Sequence, residues 1–128
     1  MFGQVRAAGG GARRFQENMA RPCQLSSSGR DAVKHNPAAY YVGGQDRVAC
    51  GADDVGFGDP SELTRGPLAT FTFVTPDLCE DTHDCGVASG DAFLARLVPA
   101  LLATPEYRSG TTAIFVVWDE PTPMPNIG

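Results

Sequence analysis

The sequence predicts an α/β fold with a mainly parallel sheet, because three segments of its second half have the patterns of a strand, a helix and a strand. Residues 70–75 alternate in polarity and are rich in β-branched and aromatic side chains, which is typical of a strand. Residues 90–103 carry apolar side chains at helical spacing. Residues 112–118 are almost wholly apolar, as in a strand buried on both faces. This order favours a parallel strand pair joined by a right-handed crossover.

The predicted helix has recognisable ends and one internal irregularity. Ser89 is a plausible N-cap, and Asp91 suits the positive end of the helix dipole. Pro99 removes one backbone donor, so we expect it to kink the helix or to restart it. The dipeptide Thr104-Pro105 is expected to close the helix.

The first half of the chain predicts shorter elements. Glycines 9–11 tolerate the left-handed conformation that ends a helix, and Asp59 or Ser61 can cap a helix that has Pro60 near its first position. The predicted elements are a helix end at 2–8, a short strand at 12–16, a loop at 18–29, a turn at 36–37, irregular structure at 43–58 and one or two helical turns at 61–65.

Length and charge limit the class of protein. With 128 residues the chain can form one domain with a real core, which we divide into a loop-rich part, 1–66, and a strand-helix-strand core, 67–128. The net charge of −5 argues against a nucleic-acid partner, which would favour a basic face. No apolar run approaches the length of a transmembrane span, and residues 1–11 lack the apolar core of a signal peptide.

Four cysteines indicate an oxidising compartment, because an even number in loop-like surroundings predicts two disulfides. Cys79 and Cys85 bracket a short polar loop and are expected to pair, which leaves Cys23 for Cys50. Four free thiols are one alternative, and a zinc site that includes His83 is another, although no Cys-x-x-Cys spacing is present. Disulfides without a signal peptide lead us to expect a secreted or extracytoplasmic protein whose natural N-terminus lies upstream.

Acidic residues follow both predicted strands of the second half. Asp77 begins an acidic loop that ends at Asp84, and Asp119 and Glu120 follow the second strand. If the strands are parallel neighbours, the two groups meet at one edge of the sheet, where sites of such folds form. A divalent cation would offset their repulsion, with Asp119 and Glu120 joined by His83 or Asp77 as ligands for zinc, calcium, magnesium or manganese. The alternative is that these acids cap the helix and face water.

Two further pairs of residues are candidates for binding. Lys34 and His35 lie beside a turn and can clamp a phosphate, or they can form a solvated basic dipeptide. Glu17 and Asn18 offer a carboxylate next to an amide, which is a possible pair of metal ligands. The serines at 26–28 lack the Gly-x-Ser-x-Gly context of a nucleophile and are interpreted as loop.

Short motifs are spread along nearly the whole chain, and 49–66 is the loosest part. They are Phe15-Gln16-Glu17-Asn18-Met19, Pro22-Cys23, Ser28-Gly29-Arg30, Lys34-His35-Asn36-Pro37-Ala38-Ala39-Tyr40-Tyr41, Phe73-Val74-Thr75-Pro76-Asp77-Leu78-Cys79, Asp81-Thr82-His83-Asp84-Cys85, Ser89-Gly90-Asp91, Tyr107-Arg108-Ser109-Gly110 and Phe115-Val116-Val117-Trp118-Asp119-Glu120. Together they resemble the bacterial phosphoesterase family of acid phosphatases and phosphatidylcholine-type phospholipases C, within the alkaline phosphatase-like superfamily.

The resemblance implies a three-layer sandwich around a mainly parallel sheet, and hydrolysis of phosphate esters by a phosphomonoesterase or a phospholipase C-like enzyme. It places Asp119 and Glu120 at the position of a metal-binding acidic pair. It makes His35 and His83 catalytic residues that line the phosphate pocket, and Lys34 matches a position that is often basic. The implied partners are a divalent metal ion, whose identity is open, and a small phosphate ester or a phospholipid.

The chain departs from the family pattern in one important respect. The first strand with its Glu-Asn metal pair, and the hydroxyl nucleophile that follows it, have no counterpart. Glu17-Asn18 follows Arg13-Arg14-Phe15-Gln16 instead of an apolar strand, so we interpret it as a later element with a structural or pocket-edge role. We therefore expect a partial phosphoesterase domain, incomplete at both ends and inactive alone.

Two other functions compete with this expectation. One is a non-catalytic, disulfide-stapled module that binds phosphate or phospholipid headgroups. The other is a purely structural domain whose acidic residues are solvated.

Overall fold

Three short parallel strands form the sheet of the computed structural model, which describes residues 1–41 and 43–118. The strand order is β2-β1-β3. In chain order the elements are α1 (Phe2–Ala7), β1 (Ala12–Glu17), a 3-10 helix (Val33–His35), α2 (Pro37–Tyr40), α3 (Gly44–Asp53), β2 (Asp54–Phe57), a second 3-10 helix (Pro60–Thr64), β3 (Phe71–Thr75), α4 (Val87–Leu102) and α5 (Pro105–Arg108).

The central strand β1 fixes where the strand ends lie. It pairs in parallel with both neighbours, and Phe15 lies opposite Val55 of β2 and Val74 of β3. All three strands therefore run in one direction, and the residues after Glu17, Phe57 and Thr75 leave the sheet at the same edge. This edge is the carboxyl edge of the sheet.

Side chains of β1 alternate between two apolar clusters on opposite faces of the sheet. Phe15 belongs to the cluster on one face, which consists of Phe15, Phe57, Leu63, Phe93 and Leu97. Ala12 belongs to the cluster on the other face, which consists of Phe2, Ala12, Ala38 and Cys50 with Phe71 and Phe73 beside it. Helix α4 thus packs on one face and α1, α2 and α3 on the other, so the α/β class with a parallel sheet is confirmed.

The predicted second strand at 112–118 is wrong. These residues pair with no strand among the residues that the structure describes, and Phe115 is 84% exposed and Trp118 62% exposed. The parallel neighbour of β3 is instead β1, which comes from the first half of the chain. An apolar, β-branched sequence favours an extended backbone, but pairing also requires a partner edge and a face that becomes buried.

Residues 43–58 are also more regular than predicted, since they form α3 and β2. Their glycines and aspartates have poor helix propensity. Tertiary contacts compensate for it: Arg6 donates to Asp53 at 2.6 Å and also binds Asp46, and Cys50 is covalently tied to the loop after β1.

The remaining local predictions are largely confirmed. The strands at 12–16 and 70–75 and the helix end at 2–8 form, and Gly9 follows α1 with φ of +82°. Asp59 caps the second 3-10 helix by accepting the Ser61 N–H at 2.8 Å. Helix α4 begins at Val87, not near position 90, with Gly86 as its N-cap in place of Ser89.

Helix α4 accommodates Pro99 without a break. It runs on to Leu102, and the residue is exposed at the surface of the helix. The prediction of a restart is therefore wrong. Because α4 packs through Phe93 and Leu97 on the sheet, tertiary burial outweighs the hydrogen bond that proline cannot make.

Both disulfides form as predicted, with Cα–Cα distances of 5.9 Å for Cys23–Cys50 and 4.6 Å for Cys79–Cys85. The alternatives of free thiols and of zinc bound by these cysteines are wrong, because all four sulfurs are used in disulfides. Among the described residues no helix is long and apolar enough to cross a membrane.

Candidate functional site

The loops that follow β1 and β3 meet at the carboxyl edge. The Asp77 N–H donates to Glu17 Oε2 at 2.8 Å, and the Asn18 side-chain amide donates to Asp77 Oδ2 at 2.9 Å. The second acidic group predicted beside the loop after β3, Asp119 and Glu120, lies outside the described residues. In the structure Glu17 and Asn18 contact the start of this loop.

The sequence interpretation of Glu17 assumed that no buried strand precedes it, and the structure differs on this point. It ends the central strand, which is buried along most of its length, and Glu17 itself is 4% exposed. The polar residues before Glu17 gave no sign of this burial in the sequence. Arg14 and Gln16 are nevertheless fully buried and hydrogen-bonded inside the protein. The role predicted for Glu17, structural or at a pocket edge, stays a prediction.

The loop at 77–85 is held by hydrogen bonds from its backbone to the Asp77 side chain and by a disulfide. Asp77 Oδ1 accepts the N–H groups of Cys79 at 2.8 Å and Glu80 at 3.0 Å, and the Cys79–Cys85 disulfide closes the loop. It lies directly on α4, where a Cβ at Gly90 would come within 2.6 Å of the Thr82 methyl group. The loop therefore has little freedom to move relative to the sheet and α4.

Two histidine–aspartate pairs lie side by side at this edge. His35 Nδ1 is 3.1 Å from Asp81 Oδ2, and His83 Nδ1 is 2.7 Å from Asp84 Oδ1. The imidazole rings are 6.2 Å apart, between centroids, with an interplanar angle of 63°. A carboxylate at Nδ1 orients the ring and leaves Nε2 for a ligand. The structure thus brings together the two histidines that the sequence singled out, from segments 48 positions apart in the numbering.

A buried arginine positions His35 from beneath. Arg14, at 0% exposure, donates to the His35 carbonyl at 2.6 Å, to Asn36 Oδ1 at 2.7 Å and to Thr75 Oγ1 at 2.9 Å. Asn36 in turn donates to the Asp54 carboxylate at 3.0 Å. The turn at His35 and Asn36 is therefore hydrogen-bonded to residues of all three strands.

The charges of this network lie in a nonpolar environment. Burial lowers the pKa of Arg14 to about 10, against the opposing charges of Asp54 and Asp31. Burial also raises the pKa of Asp31, while the hydrogen bond from Gln24 and the positive charge of Arg14 oppose that rise. The network was not predicted, because an arginine in a short strand gives no local sign of whether it is buried. The alternation that buries Ala12, Arg14 and Gln16 together was the available signal.

A second buried charge lies beside the loop. Burial raises the pKa of Glu17 to about 7, the negative charges of Glu80 and Asp77 add to the rise, and the Asp77 N–H opposes it. Arg96 of α4 binds Glu80 at 2.7 and 3.0 Å, and that contact raises the pKa of Arg96. The Arg96 guanidinium is thus engaged by Glu80, and the burial of Glu17 beside the negative charges of Glu80 and Asp77 favours its protonated form.

The other predicted site residues are less well supported by contacts. Lys34 is exposed, and its ammonium group makes no hydrogen bond to the described residues. Asp119 and Glu120 lie outside the described residues. Asp77, expected as a metal ligand, has both carboxylate oxygens engaged by N–H donors of the loop and of Asn18.

Three potential metal-ligand atoms come within 4.8 Å of one another at one place in residues 1–41 and 43–118, at Cys23, Cys50 and Asp54. Because these two cysteines form a disulfide, they do not offer thiolate ligands. The described part of the carboxyl edge, with its carboxylates and imidazoles, offers donor types that divalent metals accept, but no three in a common coordination geometry.

The chain matches no protein-family model, no curated protein and no solved structure. The phosphoesterase resemblance consequently remains a prediction that its motifs carry.

Proposed function

We propose that the chain binds the phosphoryl group of phosphate esters through His35 and His83, as part of a metal-dependent phosphoesterase. The observation that carries the proposal is the pair of facing histidine–aspartate contacts at the carboxyl edge. Such an edge is where parallel α/β sheets bind ligands. The motif resemblance supports the same chemistry.

The two imidazoles suit a tetrahedral anion. Asp81 and Asp84 hold the Nδ1 atoms, so both rings keep Nε2 available. A protonated Nε2–H donates a charge-assisted hydrogen bond to a phosphoryl oxygen, and two such donors approach the anion from different directions. His35 is mostly buried and His83 is more exposed, at 23% and 53% of the side chain, which leaves an open side for an ester substituent.

The surrounding acids make a cation necessary for tight binding of an anion. Glu80, Asp81 and Asp84 place negative charge around the imidazoles, and Arg96 offsets one of them. By resemblance, Asp119 and Glu120 would hold a divalent metal. Such an ion, when bound, polarises a phosphoryl oxygen and activates a nucleophile.

We expect little or no turnover by this chain alone. Among the described residues, no serine, threonine or cysteine side chain is hydrogen-bonded to either imidazole ring, although an activated nucleophile normally lies within such reach of its base. The assay is hydrolysis of p-nitrophenyl phosphate with added zinc, calcium, magnesium or manganese. Hydrolysis that disappears in Asp119→Ala would contradict the expected inactivity.

Phosphate binding provides the direct test. Calorimetry with inorganic phosphate, with and without a divalent metal, should show binding that weakens about 10-fold or more in His35→Gln and in His83→Gln, because each variant loses a charge-assisted hydrogen bond of about 1.5–3 kcal/mol. Arg108→Gln, on the exposed surface of α5, removes a charge and serves as the control. Affinities that are equal in all four proteins would refute the proposal.

The second candidate is a non-catalytic module that binds phosphate or phospholipid headgroups. One observation favours it: a disulfide closes the loop that carries His83, whereas no nucleophile is hydrogen-bonded to the imidazoles in the described part. Tight binding of phosphate and phosphocholine that does not depend on a divalent metal would support the module, because the phosphoesterase proposal requires a cation for tight binding. Two disulfides also agree with an extracytoplasmic location, and secretion forms part of this proposal.

A further inference from the structure

Glu17 is a buried carboxyl group that contacts the loop at 77–85, which carries His83 and is called the histidine loop. Among the described residues it is hydrogen-bonded to neither His35 nor His83. It is 4% exposed at the end of the central strand, and Oε2 accepts the Asp77 N–H at 2.8 Å. A carboxyl group in such a place costs desolvation energy, and burial accordingly raises its pKa. A smaller apolar side chain would avoid that cost, so we expect the hydrogen bond between Glu17 and the loop to have a role.

Asp77 transmits the position of Glu17 to the loop. Its N–H is fixed by Glu17, while its carboxylate accepts from Cys79, Glu80 and Asn18 at 2.8–3.0 Å. Asp77 is itself 3% exposed, so these bonds are sheltered from water. The start of the loop is therefore held by β1 at one residue.

Glu80 adds negative charge next to Glu17, and this charge contributes to the raised pKa of Glu17. The Glu80 carboxylate is bound by Arg96 of α4 at 2.7 and 3.0 Å. The hydrogen bond from Asp77 thus joins the Glu17 carboxyl group of the central strand to the loop.

The loop carries both carboxylates that orient the imidazoles. Asp81 binds the His35 ring and also accepts the backbone N–H of His83 at 2.8 Å. Asp84 binds the His83 ring. Because Asp81 lies four residues after Asp77, a change at the start of the loop displaces its contact with His35.

We propose that Glu17 is a positioning residue of the histidine site, which holds Asp77 so that Asp81 and Asp84 orient the two imidazoles. The inference rests on the proposed function for its ligand, phosphate. The orientation of the rings is independent of that ligand and can be measured without it.

Two substitutions separate hydrogen bonding from space filling. In Glu17→Gln the amide oxygen accepts the Asp77 N–H, so the link persists. In Glu17→Met the apolar side chain fills similar space and loses that link. Glu17→Ala is a second disruptive variant, and Leu97→Ala, on the buried face of α4, is a control for general destabilisation.

The experiment combines two measurements on the intact chain at one pH. Long-range ¹H–¹⁵N spectra report the tautomer of each imidazole, and calorimetry reports the affinity for inorganic phosphate. We expect wild type, Glu17→Gln and Leu97→Ala to share the spectra of Nδ1-bonded rings and to agree in phosphate Kd within about twofold. In Glu17→Met and Glu17→Ala the rings should show mixed tautomers, and the phosphate Kd should rise about tenfold.

Three outcomes would overturn the inference: unchanged spectra in Glu17→Met, altered spectra in Glu17→Gln, or the same change in Leu97→Ala. Failure of the proposed function gives a different result. In that case wild type does not bind phosphate, yet the spectra of the five proteins still decide whether Glu17 positions the rings.

Discussion

Replacement of Glu17 by glutamine should change how the stability of the protein depends on pH. Burial raises the pKa of Glu17 from its ordinary value of 4.5 to about 7 in the folded protein. Protons therefore bind more tightly to the folded than to the unfolded chain. The stability that this group contributes is fully present below pH 4.5 and is lost as the pH rises through 7. Glutamine has no charge to bury at any pH.

The size of the effect follows from the shift. A rise from 4.5 to about 7 corresponds to about 3 kcal/mol, at about 1.4 kcal/mol for each pH unit. Glu17→Gln should therefore match wild type near pH 4 and exceed its free energy of unfolding by up to about 3 kcal/mol at pH 8. The raised pKa of Asp31 affects both proteins alike and cancels in the comparison.

Urea unfolding from pH 4 to 8, followed by far-UV circular dichroism with the disulfides intact, measures this difference. Tryptophan fluorescence is a poor probe, because Trp118 is 62% exposed in the folded protein. Glu106→Gln, on the separate short helix α5, is the control and should follow the wild-type curve. Parallel curves for Glu17→Gln and wild type would refute the argument, because Glu17 would then carry the same charge in both states.

Three further substitutions test the support of the site. Arg14→Met should lower the free energy of unfolding by about 3–5 kcal/mol in urea, because it leaves buried carboxylates without their partner. Replacing Cys79 and Cys85 by serine should weaken phosphate binding measured by calorimetry while circular dichroism retains the folded spectrum, because the disulfide closes the histidine loop. Gly90→Ala should lower the thermal midpoint through its clash with the Thr82 methyl group at 2.6 Å and its close approach to the Glu80 carbonyl oxygen at 3.1 Å, and adding Thr82→Ser should restore part of the loss.

Each of these has a matched comparison. Arg13→Met alters the exposed neighbour of Arg14 on the same strand and should change stability by less than about 1 kcal/mol. Equal effects at Arg13 and Arg14 would contradict the buried network. Unchanged phosphate affinity without the Cys79–Cys85 disulfide would show that backbone hydrogen bonds suffice to order the loop. A Gly90→Ala protein as stable as wild type would show that the loop can move away from α4.

Much of the local structure could be predicted from the residues. The alternation at 70–75, the apolar stripe of α4 and the cap at Asp59 each depend on side chains that are close in sequence, and all three are present. The disulfide pairs were also predicted correctly, since Cys79 and Cys85 are separated by only 6 positions.

The candidate site was predicted only in part. His35 and His83 were singled out from the sequence, but their carboxylate partners Asp81 and Asp84 were counted only as members of an acidic loop. Arg14 was missed, because a buried arginine becomes visible only once its partners from 36 and 75 have been brought around it. Such partners have no fixed sequence spacing.

The sequence by itself determined the strands at 12–16 and 70–75, helix α4 and the cysteine pairs, because side-chain periodicity and turn residues act over a few positions. Tertiary structure decided that 43–58 forms α3 and β2, that the polar-looking strand β1 lies between β2 and β3, and that 112–118 pairs with no strand of the described residues. It also decided the contact between His35 and Asp81. These outcomes depend on which distant surfaces bury one another, and that choice is made by packing of the whole chain and not by local propensity.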